Sequence, residues 1–423
     1  MKKFLLLFFG ILLAVFSCQI KDNDPPGDNP TVTPDDGDED GDEDGDDGDG
    51  DIVEIPSVRI EMSAEFVRAM GLGVNIGNTF DSLNSTSIAG ETGWGNPQVT
   101  RNYIKAIKSH GFKTVRLPVS WADYIGPAPD YTISNTWMNR VERVVNWILA
   151  EEMFCILNMH HDGADIANKS WIEDMCLEDE EEAKRKFSAV WKQIVTRFYN
   201  ASDRLIFEAM NEPQFDKLWP RSSSNQADKE KAYGLLNMLN QTFVDTVRAN
   251  SAGSKNEQYR YLLVSGYWTD IDNTADPLFK MPTDTLQDRL ILSLHYYTPW
   301  NFCGGNGTTW GNTNNINELN TKFNTLKINY LDKGIPVIIG EYGVNINTNS
   351  GAVNGSPKNN RVDWMLAVTQ KCVDLGVCPV LWDTGMRNDN KGMADLQRNG
   401  QFAISADLRN MLERVVFPEE EDE

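Results

Sequence analysis

Between Gly71 and Trp382 the chain alternates short, unbroken apolar runs with longer stretches in which apolar residues return every three or four positions. The short runs have the length and β-branched content of buried strands, and predict them at Gly71–Ile76, Thr114–Pro118, Phe154–Met159, Leu205–Met210, Tyr261–Ser265, Leu290–Leu294, Pro336–Gly340 and Pro379–Trp382. The periodic stretches predict helices at Pro97–His110, Trp137–Glu151, Glu180–Tyr199, Lys229–Ala249, Asn315–Leu331, Asn360–Leu375 and Ala406–Val416. Eight strands alternating with helices favour a closed parallel (β/α)8 TIM barrel over an open sheet. The expected catalytic domain is a single one, residues 52–418. Trp147, Phe187, Trp191 and Phe243 fall at helical spacing and read as packing against the barrel.

Polar residues cluster where the apolar runs stop. Leu205–Met210 ends in Asn211-Glu212-Pro213, and Ile335–Gly340 ends in Glu341. Barrel enzymes keep their chemistry at strand C-termini, and two carboxyls there are the minimum equipment for cleaving a glycosidic bond. Other strand ends carry Arg116, His160 with His161, His295 with Tyr297, and Trp382. Arg116 and Tyr297 are suited to keeping a neighbouring glutamate ionised, and Asn211 to holding a sugar 2-hydroxyl. On that arrangement Glu341 is expected ionised, leaving Glu212 to carry the proton. A metal site built from His160, His161 and His295 is the competing reading. Adjacent strand residues face opposite ways, so the first two cannot share a ligand sphere unless the strand has already ended. Neither a metal nor an organic cofactor is therefore expected. Trp94, Trp121, Trp171, Trp219, Trp268, Trp300 and Trp310 lie in the loops, where flat indoles suit the C–H faces of sugars.

The ends of the chain are of another kind. Lys2 and Lys3 precede an apolar core from Phe4 to Phe16, too short to span a bilayer, and Val15-Phe16-Ser17-Cys18 is similar to a bacterial lipobox. Residues 1–17 are thus expected to be a lipoprotein signal peptide, with Cys18 the lipidated residue and the cell envelope, at the outer membrane, the location. Residues 18–51 combine prolines with fifteen acids between Asp22 and Asp51, and predict an extended acidic linker. Asp36, Asp38, Asp40 and Gly41 have calcium-loop offsets, but no helix pattern flanks them. Residues 419–423 form an acidic tail. The net charge of −23 comes mostly from these ends, and without them the folded part is only mildly acidic. With no basic stripe, a nucleic-acid partner is excluded. Of six cysteines, the five left after Cys18 cannot all pair, so buried thiols are expected, with Cys372 and Cys378 a candidate pair.

Taken in order, Gly73-Val-Asn-Ile-Gly-Asn-Thr-Phe-Asp81, Glu91-Thr-Gly-Trp-Gly-Asn-Pro97, Val115-Arg-Leu-Pro118, Leu157-Asn-Met-His-His161, Phe207-Glu-Ala-Met-Asn-Glu-Pro213, Leu294-His-Tyr-Tyr-Thr-Pro299, Ile339-Gly-Glu-Tyr-Gly343 and Leu381-Trp-Asp383 resemble the motifs of glycoside hydrolase family five, the clan of retaining cellulases. The resemblance covers Phe66 to Phe402. It implies Glu212 as acid/base and Glu341 as nucleophile, with Arg116, His160, Asn211, His295, Tyr297 and Trp382 around the cleaved sugar. Asn75, Trp94, His161 and Trp300, from the same or adjoining motifs, complete the expected substrate-binding set. The endoglucanase branch, acting on β-1,4-glucans and often xyloglucan, is the closest in motif. A β-mannanase on the same scaffold, or a surface lipoprotein that binds polysaccharide without cleaving it, are the alternatives. A monomer is expected.

Overall fold

The computed structural model describes residues 56–418 apart from 84–87, 164–169, 221, 305–306, 308, 347–351, 354–355, 358–359 and 386–391. The expected signal peptide with Cys18, the expected acidic linker and the acidic tail lie outside the described residues.

Eight parallel strands close into a barrel in sequential order: β1 (Gly73–Asn75), β2 (Thr114–Leu117), β3 (Phe154–Asn158), β4 (Leu205–Glu208), β5 (Leu262–Ser265), β6 (Leu290–Tyr296), β7 (Val337–Tyr342) and β8 (Cys378–Leu381). β8 pairs back onto β1 through Gly73↔Val380 and Val74↔Leu381. The helices are α1 (Ser63–Met70), α2 (Arg101–Ser109), α3 (Asn135–Ala150), α4 (Ile172–Glu178), α5 (Glu180–Arg197), α6 (Gln226–Ser251), α7 (Ile271–Thr274), α8 (Trp300–Cys303), α9 (Thr313–Asn329), α10 (Asn360–Asp374) and α11 (Ala406–Leu412). A two-residue antiparallel pair, Ala352–Val353 with Ser356–Pro357, stands outside the barrel sheet. All eight strands and all seven helices expected from the pattern are present, with ends displaced by a few residues. α2 starts at Arg101 because the Thr100 side chain accepts the Tyr103 N–H, a cap that ends the extended approach from Pro97. β6 runs two residues further than the apolar run, with a register shift between Leu294 and His295.

The period of two along each strand sorts side chains into two layers. One set, including Val115, Leu117, Cys155, Leu157, Leu205 and Phe207, packs outward under the helices. The alternate set, including Phe154, Ile156, Ile206, Leu263, Ile291, Ile338 and Val380, fills the barrel interior. Moving two residues along several of the strands turns this inner set polar: Ile156 is followed by Asn158, Ile206 by Glu208, Leu263 by Ser265 and Ile291 by Ser293. The interior is therefore apolar at the N-terminal pole and polar at the C-terminal mouth.

α1, which the sequence pattern does not announce, plugs the apolar pole. Phe66 packs against Phe154 and Tyr261 with ring centroids 5.1 and 4.1 Å away. The segment before it is tied down by Val58 and Arg59 N–H groups donating to the Asp203 carboxylate at 2.8 and 2.7 Å, and by Tyr261 OH donating to Ile60 O.

Candidate active site

At the mouth, Arg116 on β2 is the hub. Fully buried, it spends its planar fork on four partners: Nε donates to Glu208 Oε2 at 2.7 Å, Nη1 to Glu341 Oε1 at 2.8 Å and Asn75 Oδ1 at 2.9 Å, and Nη2 to Asn211 Oδ1 at 2.9 Å. A guanidinium can sit unhydrated only where its charge is compensated and its donors satisfied. Glu208 supplies one compensating charge and Glu341 the other, and together they hold Arg116 firmly protonated. Glu208 is itself held by Ser293 Oγ at 2.5 Å and Asn158 Nδ2 at 3.1 Å.

Glu341 ends up with both oxygens engaged, since Tyr297 OH donates to Oε2 at 3.0 Å. Glu212 sits differently. It follows β4 with φ +30°, in a backbone region that disfavours a side chain, and Pro213 after it makes a helical geometry no easier. Three hydrogen bonds hold it there: Asn211 N–H to Met159 O, Trp268 N–H to Pro213 O, and Ser265 Oγ to Met210 O. The turn brings one Glu212 carboxylate oxygen within 4.8 Å of a Glu341 oxygen, with His295 between them at 2.9 Å from Glu212 Oε1 and 3.5 Å from Glu341 Oε2.

Burial pushes both carboxyls up. At Glu212 the hydrogen bond and charge of His295 outweigh it, leaving the group below its ordinary value. At Glu341 burial and the nearby Glu212 charge prevail over His295 and Arg116, and the group stays above its ordinary value. The sequence leads to the opposite order, because nothing in it sets His295 against Glu212. The lowering depends on a protonated His295, so it is conditional in a way that the Arg116 contact is not.

His160 has a fixed tautomer. Val119 N–H donates to Asn158 Oδ1 at 3.1 Å, which leaves the Asn158 amide N–H facing His160 Nδ1 at 3.1 Å. Nδ1 is thus the acceptor and Nε2 carries the proton, 3.9 Å from Glu341 Oε1. Burial, then the neighbouring charges of His161, Arg116 and His295, push its pKa well down, so the ring is neutral. It lies parallel to Trp382, with centroids 5.7 Å apart and planes at 3°.

A family model, Cellulase (glycosyl hydrolase family 5), matches residues 76–388, which include every one of these groups except Asn75. The chain belongs to glycosyl hydrolase family 5. It is 36% identical over 373 residues to endoglucanase A of Paenibacillus barcinonensis, covering 83% of this chain and 89% of the relative. A xyloglucan-specific endo-beta-1,4-glucanase of Bacteroides ovatus is 32% identical over 345 residues, 76% of this chain and 65% of that one. Among solved structures, a GH5-4 broad specificity endoglucanase from Bacteroides salanitronis superposes with a TM-score of 0.74 at 33% identity, covering 86% of this chain and 96% of the other. A family 5 xyloglucanase from Paenibacillus pabuli gives 0.71 at 34%, covering 83% and 98%.

Measured against the family 5 expectations, Glu212, Glu341, Arg116, His160, Asn211, His295, Tyr297 and Trp382 come together at the mouth. Asn75 does not face a substrate. It is fully buried, accepts from Arg116 and donates to Gly340 O at 2.8 Å and Leu381 O at 3.2 Å, which makes it a support for the arginine. His161 stands one step away, its Nε2 3.9 Å from Asp81 Oδ2 and its ring 5.7 Å from Trp94. The alternation argument against a histidine pair does not hold, since β3 ends at Asn158 and the rings of His160 and His161 lie 4.4 Å apart. Asp81, His160 and His161 have ligand atoms within 4.8 Å of one another, but the His160 Nδ1 lone pair is already committed to Asn158. Trp300 is exposed beside Tyr297. Trp121, Trp171 and Trp310 are buried core residues, so those three loop indoles pack inward and face no sugar. All five cysteines of the barrel domain are buried free thiols, Cys372 and Cys378 included.

Sequence reasoning missed Glu208, Asn158 and Ser293. Their signal is visible in retrospect: each is a polar residue on the inward phase of an apolar strand, where burial demands a charged or hydrogen-bonding partner.

Proposed function

We propose that the protein is an endo-acting retaining glycoside hydrolase of β-1,4-glucans, with Glu212 as acid/base and Glu341 as nucleophile. The observation that carries this reading is the pair of carboxylate oxygens within 4.8 Å. Retaining enzymes hold their carboxyls about 5–5.5 Å apart, whereas inverting ones leave about 6.5–9.5 Å for a water between them. Glu341, held by Arg116 and Tyr297, attacks the anomeric carbon as Glu212 gives its proton to the departing oxygen. Glu212 then takes a proton from the water that releases the glycosyl-enzyme. Asn211 has its Oδ1 on Arg116, so its amide N–H groups are left for the sugar 2-hydroxyl. The His160 Nε2–H and the face of Trp382 bound the same sugar.

Support for β-1,4-glucan, with xyloglucan in its scope, comes from relatives named endoglucanases and xyloglucanases. No relative quoted above is named a mannanase, and the intact carboxyl pair argues against a binding-only role. Proton NMR of the first product from a soluble glucan tests the mechanism: a β-configured product is expected, and an α-configured one discards double displacement. Viscosity falling faster than reducing ends appear tests internal cleavage.

The reading extends to the ends of the chain. The lipobox-like Cys18 and the acidic segment after it support a catalytic domain tethered by lipid to the outer membrane. Cys18→Ala should move the protein from the membrane to the soluble fraction with activity on soluble glucan unchanged, and retention in the membrane would refute the anchor.

A further inference from the structure

The seam between β1 and β8 is, with that between β4 and β5, one of the two shortest in the barrel. β1 has three residues, and only two register pairs join it to β8. Above that seam the backbone ends of both strands must be held by something other than a ladder, and Trp382 is carried on one of them. The structure puts a buried ionic clasp there. Asp383, next to Trp382 and fully buried, uses Oδ1 to accept the Asp395 and Leu396 N–H groups at 2.7 and 3.0 Å, and Oδ2 to accept Gly385 N–H at 2.9 Å. Arg398 closes the clasp. Its Nη2 donates to the Asp383 carbonyl at 2.8 Å and to Oδ2 at 3.1 Å, while Nη1 reaches across to Thr79 Oγ1 at 3.0 Å. Thr79 passes the bond on to Ile76 O at 2.7 Å, at the end of β1.

The two strand ends are thereby registered on the Trp382 ring itself. Gly77 N–H donates to Asp383 O at 3.0 Å, and a Cβ at Gly77 would lie 2.8 Å from Cη2 and Cζ2 of the indole. The edge of the ring thus backs onto the Gly77 backbone on the β1 side, while the parallel ring of His160 stands 5.7 Å away between centroids, so a small shift of β1 against β8 moves it. Asn96 Nδ2 adds a parallel strap, to Asn78 O at 2.8 Å and Thr384 O at 3.0 Å.

We infer that Arg398, acting through Asp383 and Thr79, is a positioning residue for the reaction: it sets the Trp382 ring against His160 and hence the face on which the cleaved sugar lies. Arg398 touches neither carboxyl of the Glu212–Glu341 pair. Its effect therefore falls on the geometry of the bound sugar, which counts most at the transition state. The inference rests on the glucanase reading above.

The test compares Arg398→Met, Arg398→Lys and Thr79→Val with Arg248→Met. Arg248 forms a buried ion pair with Asp284 at 2.7 Å, away from the mouth, and serves as the control for lost stability alone. Active sites are counted by the dinitrophenol burst from dinitrophenyl 2-deoxy-2-fluoro-β-cellobioside, and kcat and KM on cellotetraose are expressed per counted site. In Arg398→Met and Thr79→Val, kcat per site should fall roughly tenfold or more, with KM changed much less, because misplacement by a fraction of an ångström costs rate before it costs binding. Arg398→Lys should recover part of the loss. Arg248→Met should melt earlier yet keep the wild-type kcat per site. Wild-type kcat per site in both Thr79→Val and whatever Arg398→Met folds would overturn the inference and leave the clasp a matter of stability. A wild-type protein that gives neither burst nor hydrolysis would instead sink the glucanase reading itself.

Discussion

His295 Nδ1 lies 2.9 Å from Glu212 Oε1, and across that contact the two side chains can hold one proton in two ways. As an ion pair the imidazolium donates to a carboxylate; as a neutral pair the protonated carboxyl donates to the imidazole. Water in the mouth favours the ion pair, because it solvates two charges better than two dipoles. A sugar laid over the site expels that water, and desolvation costs two charges more than two dipoles. The proton then belongs on Glu212, which is where an acid catalyst needs it. The low position of Glu212 in the free site and its role as acid are thus compatible, with His295 as the group that reconciles them.

His295→Gln should therefore raise the Glu212 pKa. Burial raises that carboxyl and His295 does most to hold it below its ordinary 4.5, so removing the histidine leaves only the weaker His161 and Arg116 charges against burial. The sign for stability follows. A depressed carboxyl stabilises the fold above its unfolded pKa, and this is lost as pH falls through the lower folded value. The variant should lack that contribution at neutral pH. Carbon-13 NMR titration of labelled glutamates, with Glu212 assigned by its absence in Glu212→Gln, measures the shift; a lower Glu212 pKa in the variant would contradict it.

Tyr297→Phe acts on the other carboxyl. The phenol donates to Glu341 at 3.0 Å and so favours its ionised form. Glu341 already sits above its ordinary 4.5, and losing a donor moves it further up. A nucleophile must be ionised, so the acid limb of kcat/KM should move to higher pH. The move should be about one to two units, because a hydrogen bond to a charged group is worth ~1.5–3 kcal/mol. An unmoved acid limb would remove Tyr297 from the control of Glu341.

The barrel was legible because its strands are short apolar runs and its helices keep their period, and because Glu212 and Glu341 interrupt that pattern where strands end. α1 and α4 were not legible: α1 is defined by what it plugs, a pole assembled from Phe154, Tyr261 and other strands distant in sequence. The roles of Asn75 and His295 were hidden for the same reason. Asn75 looks like a mouth residue until Arg116 Nη1 and Gly340 O are placed on either side of it. The packing of Trp121, Trp171 and Trp310 is decided by loop paths that local periodicity does not encode.

Asn75→Ala tests the supporting role directly. It removes an acceptor from Arg116 and a donor from Gly340 O and Leu381 O, leaving buried polar groups unpaired. Urea denaturation should show a loss of about 1–3 kcal/mol, the cost of such groups, with kcat falling and KM for glucan little changed. A residue that contacted substrate would instead raise KM at constant stability.

Trp300→Ala should do the reverse. The indole is 59% exposed, so its loss should change stability by no more than about 0.5 kcal/mol. The ring stands edge-on to Tyr297 at 6.0 Å, beside the Glu341 end of the site. KM should rise severalfold for oligosaccharides long enough to reach it and stay constant for shorter ones. A uniform effect across chain lengths would place Trp300 outside the sugar path.

The division of labour between the two glutamates makes the sharpest demand. Glu341 is the carboxyl with both oxygens held by donors that carry no exchangeable role, Arg116 and Tyr297, while Glu212 is the one whose partner can trade a proton. Glu341→Ala should abolish attack on every substrate, since no glycosyl-enzyme can form. Glu212→Ala should lose the natural polymer as completely, yet still be glycosylated by an aryl cellobioside whose leaving group needs no proton. The intermediate should then accumulate, because the base that activates water is gone, and added azide, which needs no base, should speed turnover and yield a β-glycosyl azide. The cavity left by the missing side chain, next to His295, is where the small anion enters. Azide rescue in Glu341→Ala with a β-configured product, and none in Glu212→Ala, would exchange the two roles.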